Sequence, residues 1–164
     1  SEMCIRDRNN YFLFCILTKN KKMLSKKVEN SLNKQIELEA NASQFYLAMA
    51  SWAETKGFEG VASFFYRHSN EERDHMLKLI KYVNERGGHA IVPSLPKPPK
   101  VFDCLNHVFK DLLEHEIMVS KEINEVVDVC LKEKDYTTHN LCNGMLQNKL
   151  KKKHLPDIFS INLN

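Results

Sequence analysis

The 164-residue sequence predicts an all-α fold in which long helices pack side by side as a bundle. Helix breakers are scarce, with 5 Gly and 5 Pro, and four of the prolines lie together between Pro93 and Pro99. On both sides of that proline cluster, apolar residues recur in steps of three and four, the period of an amphipathic helix. The content of 43% hydrophobic and 27% charged residues is typical of one globular domain with a single core.

The first predicted helix spans about residues 24–54. Its inward stripe is apolar or small except at Glu39, and the pattern is interrupted at Lys56-Gly57, where glycine favours a helix end. The stripe consists of Val28, Leu32, Ile36, Glu39, Ala42, Tyr46, Met49 and Ala53.

Two more helices are predicted at about residues 58–86 and 101–133. The stripe of the second helix is Val61, Phe65, His68, Glu72, His75, Leu79 and Tyr82, and it ends before Gly87-Gly88. The stripe of the third is Leu105, Phe109, Leu112, Glu116, Val119, Ile123, Val126 and Cys130. The short first connection makes the first two helices antiparallel. Because residues 89–100 are rich in proline and long enough to run the length of a bundle, the third helix lies parallel to the second. This is a one-crossover topology.

Composition excludes several classes of protein. Five cysteines are an odd number and none forms a CxxC pair, which argues against a disulfide framework or a zinc module and suits a reducing cytoplasm. The apolar run at residues 11–17 is shorter than the roughly 20 residues that a membrane span needs, and no small-residue cleavage site follows it. The net charge of +3 comes from the two ends of the chain, so we expect neither a membrane nor a nucleic-acid partner for its mildly acidic body.

Three acidic residues and a histidine interrupt the apolar stripes near their midpoints: Glu39, Glu72, His75 and Glu116. Glu39 lies 17 residues before Lys56 and Glu72 lies 16 residues after it, so the two meet at one height in an antiparallel pair. Glu116 follows the expected start of the third helix by about the same distance as Glu72 follows the start of the second. We therefore expect the four side chains to converge inside the bundle.

Inward carboxylates repel one another unless they are protonated or neutralised, and a hard, multiply charged metal ion is the usual remedy. The Glu-x-x-His unit at Glu72 and His75 puts an oxygen and a nitrogen ligand on one helical face, as in di-iron carboxylate bundles. Singly, an inward Glu can pair with a Lys, and a histidine can be a satisfied core residue. His68 is interpreted in that second way. Tyr46 either packs in the core or stands beside the metals as an electron donor.

At these residues the chain resembles the non-haem bacterial ferritins. The similarity covers residues 23–140 continuously, and its clearest segments are residues 32–88, LEHEI around Glu116, and DYTTHN, which closes at Asn140. It implies a ferritin-like four-helix bundle in a cytoplasmic shell of 24 subunits. Such a shell oxidises Fe(II) with oxygen or hydrogen peroxide and stores the ferric mineral.

The resemblance also implies roles for individual residues. Glu39, Glu72 and His75 are similar to the ligands of a first iron, with Glu72 as the bridge and Glu116 as a ligand of the second. Tyr46 matches a family tyrosine with a catalytic role, and Glu71 matches an outer-site glutamate. No haem is expected, because Arg73 stands where haem-binding bacterioferritins carry methionine.

The two ends depart from the family pattern. Residues 1–22 lie outside it, and we expect a non-native or disordered extension before Met23. After Asn140, regrouping the permitted codons by one base allows an acidic, amphipathic sequence similar to the family's fourth helix. We therefore expect residues 141–164 to be a frameshifted remnant, with the fourth helix degraded or truncated. Lysines between residues 148 and 153 replace ligands on the side of the second iron. Little apolar periodicity is left there, although Leu, Gln and Lys still permit helix.

Two other functions remain open at this point. One is an inactive three-helix fragment that binds one metal weakly or only associates with intact subunits. The other is a DNA-protecting mini-ferritin with basic ends. Mini-ferritins place iron between subunits, whereas the four residues here converge within one chain.

Overall fold

The computed structural model describes residues 23–152, and within that range the chain forms four α-helices and no strand. They are α1 (Lys26–Thr55), α2 (Glu59–Glu85), α3 (Leu105–Lys132) and α4 (Tyr136–Lys152). The all-α prediction is confirmed, and the first three helices lie within four residues of their expected limits. The expectations for residues 1–22 and for the end of the chain after Lys152 lie outside the described residues. No helix within 23–152 is long and apolar enough to cross a membrane.

The ends of α1 and α2 follow from local chemistry. The Ser25 hydroxyl accepts a hydrogen bond from the Val28 backbone N–H at 3.3 Å and so caps the start of α1. Gly57 (φ 77°) and Gly87 (φ 74°) adopt left-handed backbone conformations just after the ends of α1 and α2, where a residue with a Cβ would be strained. The tight turn at Gly57 makes α1 and α2 an antiparallel pair.

The crossover between α2 and α3 is held against α1 by hydrogen bonds and by ring packing. Asn33 donates to the His89 carbonyl at 3.0 Å and accepts from the Ile91 N–H at 2.8 Å. At the far end of the crossover, Phe102 packs against Trp52 with ring centroids 5.7 Å apart. This explains why α3 begins at Leu105 instead of near residue 101: the chain remains extended at Cys104 while Phe102 covers the end of α1.

The fourth helix is longer than its apolar pattern suggests. Between residues 136 and 149, where burial is described, its buried residues step by four, three and four, and two of the four are polar, so a search for hydrophobic residues misses the stripe. They are Thr138, Cys142, Met145 and Lys149. The helix begins before Asn140 and continues without a break through residue 141 to Lys152.

The bundle core is divided into two apolar clusters. The first core cluster includes Leu32, Ile36, Leu79, Val83, Val119, Ile123, Cys142 and Met145. The second includes Ala42, Tyr46, Met49, Trp52, Phe65, Phe102 and Val108. On α1, α2 and α3 the residues between these clusters are those that interrupt the stripes. We call this intervening zone the polar layer, and it contains the candidate site.

Candidate metal centre

Three of the predicted ligands meet in the polar layer. Glu39 on α1 and Glu72 and His75 on α2 each present one ligand atom, and these three atoms lie within 4.8 Å of one another. Both carboxylates have no exposed surface, whereas the His75 side chain is 16% exposed. The shared height of Glu39 and Glu72, expected because they lie 17 and 16 residues from Lys56, accounts for this meeting.

Each carboxylate is held by neighbours. The Gln35 amide donates to Glu39 Oε1 at 2.8 Å, one turn earlier on the same helix. His75 Nδ1 lies 3.0 Å from Glu72 Oε2 and 3.7 Å from Glu39 Oε2. The imidazole therefore faces one oxygen of each carboxylate, which are the atoms that a metal ion would require.

A cation from α4 contacts the same two oxygens, Glu39 Oε2 and Glu72 Oε2. Lys149 Nζ lies 2.5 Å from Glu72 Oε2 and 3.1 Å from Glu39 Oε2, and its side chain is only 1% exposed. Lysine is almost never buried unless it is paired. Here two carboxylates form the pair, and the ammonium completes a compact cluster of four ionisable groups.

The electrostatics favour the charged forms of Glu72, His75 and Lys149 but not that of Glu39. Burial raises the pKa of Glu39, an effect that the His75 hydrogen bond and the Lys149 charge only partly offset. Burial acts on Glu72 in the same sense, but hydrogen bonds with His75 and Glu39 and the nearby Lys149 lower its pKa. Burial opposes protonation of His75, yet its hydrogen bonds to both carboxylates raise its pKa to about 9. Burial also opposes the charge on Lys149, but the two carboxylates raise its pKa above the ordinary value. Lys149 is therefore cationic at neutral pH.

Glu116 lies outside the three-residue group. Its Oε1 accepts a hydrogen bond from the Tyr46 hydroxyl at 2.8 Å, and Tyr46 in turn lies 3.4 Å from His115 Nδ1. Glu116 Oε2 is buried and makes no hydrogen bond within the described residues. Burial, followed by the charge of Glu116, raises the pKa of Tyr46, so the phenol stays protonated. The structure thus brings three of the four expected side chains into one group and places the fourth beside it, engaged by Tyr46.

The remaining predicted residues have distinct surroundings. His68 Nδ1 contacts the Phe64 carbonyl at 2.9 Å, and its ring packs against Phe64 with centroids 4.0 Å apart. Because a carbonyl only accepts, Nδ1 carries the proton, and His68 is a satisfied core histidine. Glu71 is half-buried, with Oε2 inside the bundle, and it does not join the three-residue group.

Two polar neighbours of the site, Gln35 and His115, are not among the residues singled out from the sequence. Lys149 is one of the lysines expected beside the second iron, but it contacts Glu39 and Glu72 instead. Gln35 could have been found from its i, i+4 spacing to Glu39 on the inner face of α1. The inward direction of Lys149 could have been found by extending the stripe of α4 from Thr138 and admitting polar members. His115 carries no such signal, since it is adjacent to the α3 stripe rather than within it.

The donor set fits a hard or borderline divalent ion such as Fe(II), because it consists of two carboxylates and one imidazole. The Lys149 ammonium lies on the same oxygens and supplies positive charge that an ion would otherwise provide. Lys149 therefore contacts the same pair of oxygens that a metal ion would need.

Comparisons with known proteins agree with this architecture. Residues 29–155 match the ferritin family, described as Ferritin-like domain. The probable bacterial non-heme ferritin-like protein of Haemophilus influenzae is 36% identical over 133 residues, or 81% of each chain. The bacterial non-heme ferritin of Campylobacter jejuni is 41% identical over 118 residues, which cover 72% of this chain and 71% of the relative.

Solved structures give the same result. The ferritin of Chlorobium tepidum superposes with a TM-score of 0.78 at 32% identity, covering 81% of this chain and 82% of that one. The open pore ferritin of Archaeoglobus fulgidus gives a TM-score of 0.77 at 30% identity, covering 80% and 81%. The family match also continues past Asn140, where the resemblance is expected to end, and takes in all of α4. The chain therefore belongs to the ferritin family, in its bacterial non-haem branch.

Proposed function

We propose that this chain is an iron-storage ferritin subunit that takes Fe(II) as its substrate in the polar layer. The observation that carries the proposal is the meeting of Glu39, Glu72 and His75, whose ligand atoms lie within 4.8 Å of one another between two apolar clusters. Two carboxylates in such a position stabilise a divalent cation strongly, because little water competes for them.

The full reaction of this family requires a second iron. Two-electron reduction of dioxygen to hydrogen peroxide takes one electron from each of two Fe(II) ions held close together. In this chain Glu72 would bridge, Glu116 would bind the second ion, and Glu71 would lie at its outer side. The hydrogen bond from Tyr46 to Glu116 supports the proposed electron-donor role of Tyr46, because a phenol that gives an electron to the dioxygen being reduced also loses its proton, which Glu116 can accept at 2.8 Å.

The cellular location and the assembly are proposed from membership of the family. We propose a cytoplasmic shell of identical subunits, of 24 copies as in bacterial ferritins, with the ferric mineral inside. Three large apolar side chains on α3 support assembly because they are 40–52% exposed in the single chain: Leu113, Ile117 and Met118.

The test is an anaerobic Fe(II) titration in which calorimetry measures the binding affinity of the intact chain, of Glu39→Gln and of a matched control. Glu37→Gln is that control, because Glu37 is exposed on α1 two residues from Glu39 and loses the same charge. We expect Glu39→Gln to weaken Fe(II) binding at least tenfold and Glu37→Gln to leave it unchanged. Equal binding by all three proteins would place iron elsewhere and overturn the proposal.

A second candidate function is a subunit that joins the shell but oxidises iron slowly. The observation that favours it is the buried Lys149 ammonium, which adds positive charge where two Fe(II) ions would have to lie. Exposing the titrated protein to oxygen separates the two candidates. A chain carrying the codon-regrouped residues 141–164 serves as reference. We expect about one Fe(II) per subunit and slow oxidation in the chain as written, and two with fast oxidation in the reference.

A further inference from the structure

We propose that Lys149 is a built-in counter-cation which occupies the metal position, so that the chain folds in a closed, metal-independent form and a divalent ion binds only by displacing this side chain. The inference rests on the proposed function, because it concerns the same Glu39, Glu72 and His75 group. It adds the residue that decides whether that group is occupied by metal.

The geometry indicates that a metal ion and the Lys149 ammonium cannot occupy the site at the same time. Lys149 Nζ contacts Glu39 Oε2 and Glu72 Oε2, the two oxygens that also lie nearest to His75 Nδ1. An ion bridging these carboxylates at about 2.0–2.2 Å, the distance typical of a small divalent ion, would share its ligands with an ammonium only 2.5 and 3.1 Å away from them. Repulsion between the two cations in a buried site is strong, so one must leave.

The position of Lys149 is fixed by its helix and not by chance contact. It continues the buried stripe of Thr138, Cys142 and Met145, so the fold of α4 directs its stem into the bundle. The side chain is 1% exposed, and both Nζ contacts are to fully buried carboxylates. A surface lysine that happened to fold inward would not be expected to satisfy both carboxylates at once.

The position of Lys149 also allows its ammonium to leave the two carboxylates. Lys149 lies in the last described turn of α4, and its stem has four rotatable bonds. A metal ion can therefore replace the ammonium while α1, α2 and α3 keep their packing.

The first experiment uses the unmodified chain. Its lysines are acetylated briefly with an amine-reactive ester, with and without Zn(II), and the modified sites are mapped by mass spectrometry. We expect Lys149 to react at least tenfold more slowly than the exposed Lys78 without Zn(II), and to become reactive when Zn(II) is added. Fast reaction of Lys149 without metal, or no change on adding Zn(II), would overturn the proposal.

The second experiment compares Lys149→Met with Lys78→Met, which removes the same charge from the solvent face of α2. We expect Lys149→Met to bind Zn(II) at least tenfold more tightly than the unmodified chain in calorimetry, and to have a lower Tm that Zn(II) restores. Lys78→Met should change neither. If Lys149→Met does not fold, Lys149→Gln keeps a polar group there and is expected to show the same gain in affinity.

The outcomes separate this inference from the proposed function. Equal, tight Zn(II) binding by the unmodified chain and Lys149→Met would overturn the inference and leave the metal site intact. No binding by either protein would overturn both. Weaker binding by the unmodified chain than by Lys149→Met supports both, whereas binding only after Lys149 is replaced would show that Zn(II) cannot displace the ammonium and would overturn the inference.

Discussion

At the scale of single residues, the polar layer is governed by how buried charges are compensated. Glu39 and Glu72 have no access to water, so each depends on donors within the fold. Gln35, His75 and Lys149 supply those donors, and only His75 and Lys149 bring positive charge. Because a buried carboxylate pair without a cation would be strongly destabilising, the ammonium has a structural role even if no iron ever binds.

The hydrogen bond of the Tyr46 hydroxyl is expected to contribute to the stability of the fold. Tyr46→Phe removes the donor to buried Glu116 Oε1, and Glu116 Oε2 makes no compensating hydrogen bond within the described residues. We expect a loss of about 1–3 kcal/mol in the free energy of unfolding. Tyr66→Phe is the matched control, because it removes a similar bond to Glu54 on the exposed surface. Urea denaturation measures both, and equal losses would contradict the structural role of the Tyr46 hydroxyl.

At the scale of elements, the sequence predicts α1, α2 and α3 well because their stripes are long and largely apolar, and glycines mark where α1 and α2 stop. The fourth helix was harder to predict for a physical reason. Its buried face includes Thr138 and Lys149, which are stabilised by partners on other helices rather than by burial of apolar surface. Polar partners of this kind cannot be identified until the tertiary neighbours are known.

The junction of α3 and α4 depends on one buried ion pair. Arg86, just after α2, donates to Asp135 Oδ2 at 3.1 Å, and Asp135 also accepts from the Thr138 hydroxyl at 2.7 Å. Burial raises the pKa of Asp135, but the Thr138 hydrogen bonds and the Arg86 charge outweigh it, so the folded-state pKa lies below its ordinary value of 3.8. The stabilisation is therefore present above that value and is lost as pH falls through the folded-state pKa.

Asp135→Asn tests this junction. We expect a loss of about 2–3 kcal/mol at neutral pH, because the charged hydrogen bonds to Arg86 and Thr138 are weakened. Asp128→Asn, exposed on α3, is the control and should change stability by less than about 0.5 kcal/mol. Urea denaturation at pH 7 and at about pH 3 should give a difference from the unmodified chain that narrows in acid. A difference that widens in acid would mean that Asp135 is not stabilised as a carboxylate.

At the scale of the whole molecule, two apolar clusters hold the helices together and leave a charged layer between them. The sequence predicts the position of that layer because Glu39, Glu72 and Glu116 interrupt their stripes at equal heights. It does not predict that Glu116 is engaged by Tyr46, or that a lysine of α4 reaches the other two carboxylates. Both facts depend on side-chain directions that spacing alone leaves open.

The exchange of ammonium for metal is tested most directly by an anomalous difference map of crystals soaked anaerobically in Fe(II), recorded at the iron absorption edge. We predict one strong peak between Glu39, Glu72 and His75, with Lys149 Nζ moved away from both carboxylates. Two peaks about 3.5–4 Å apart, the spacing of a two-metal site, with Glu116 bound to the second, would contradict the expected binding of about one Fe(II) per subunit. A peak with Lys149 still in contact with Glu39 and Glu72 would contradict the exchange of ammonium for metal.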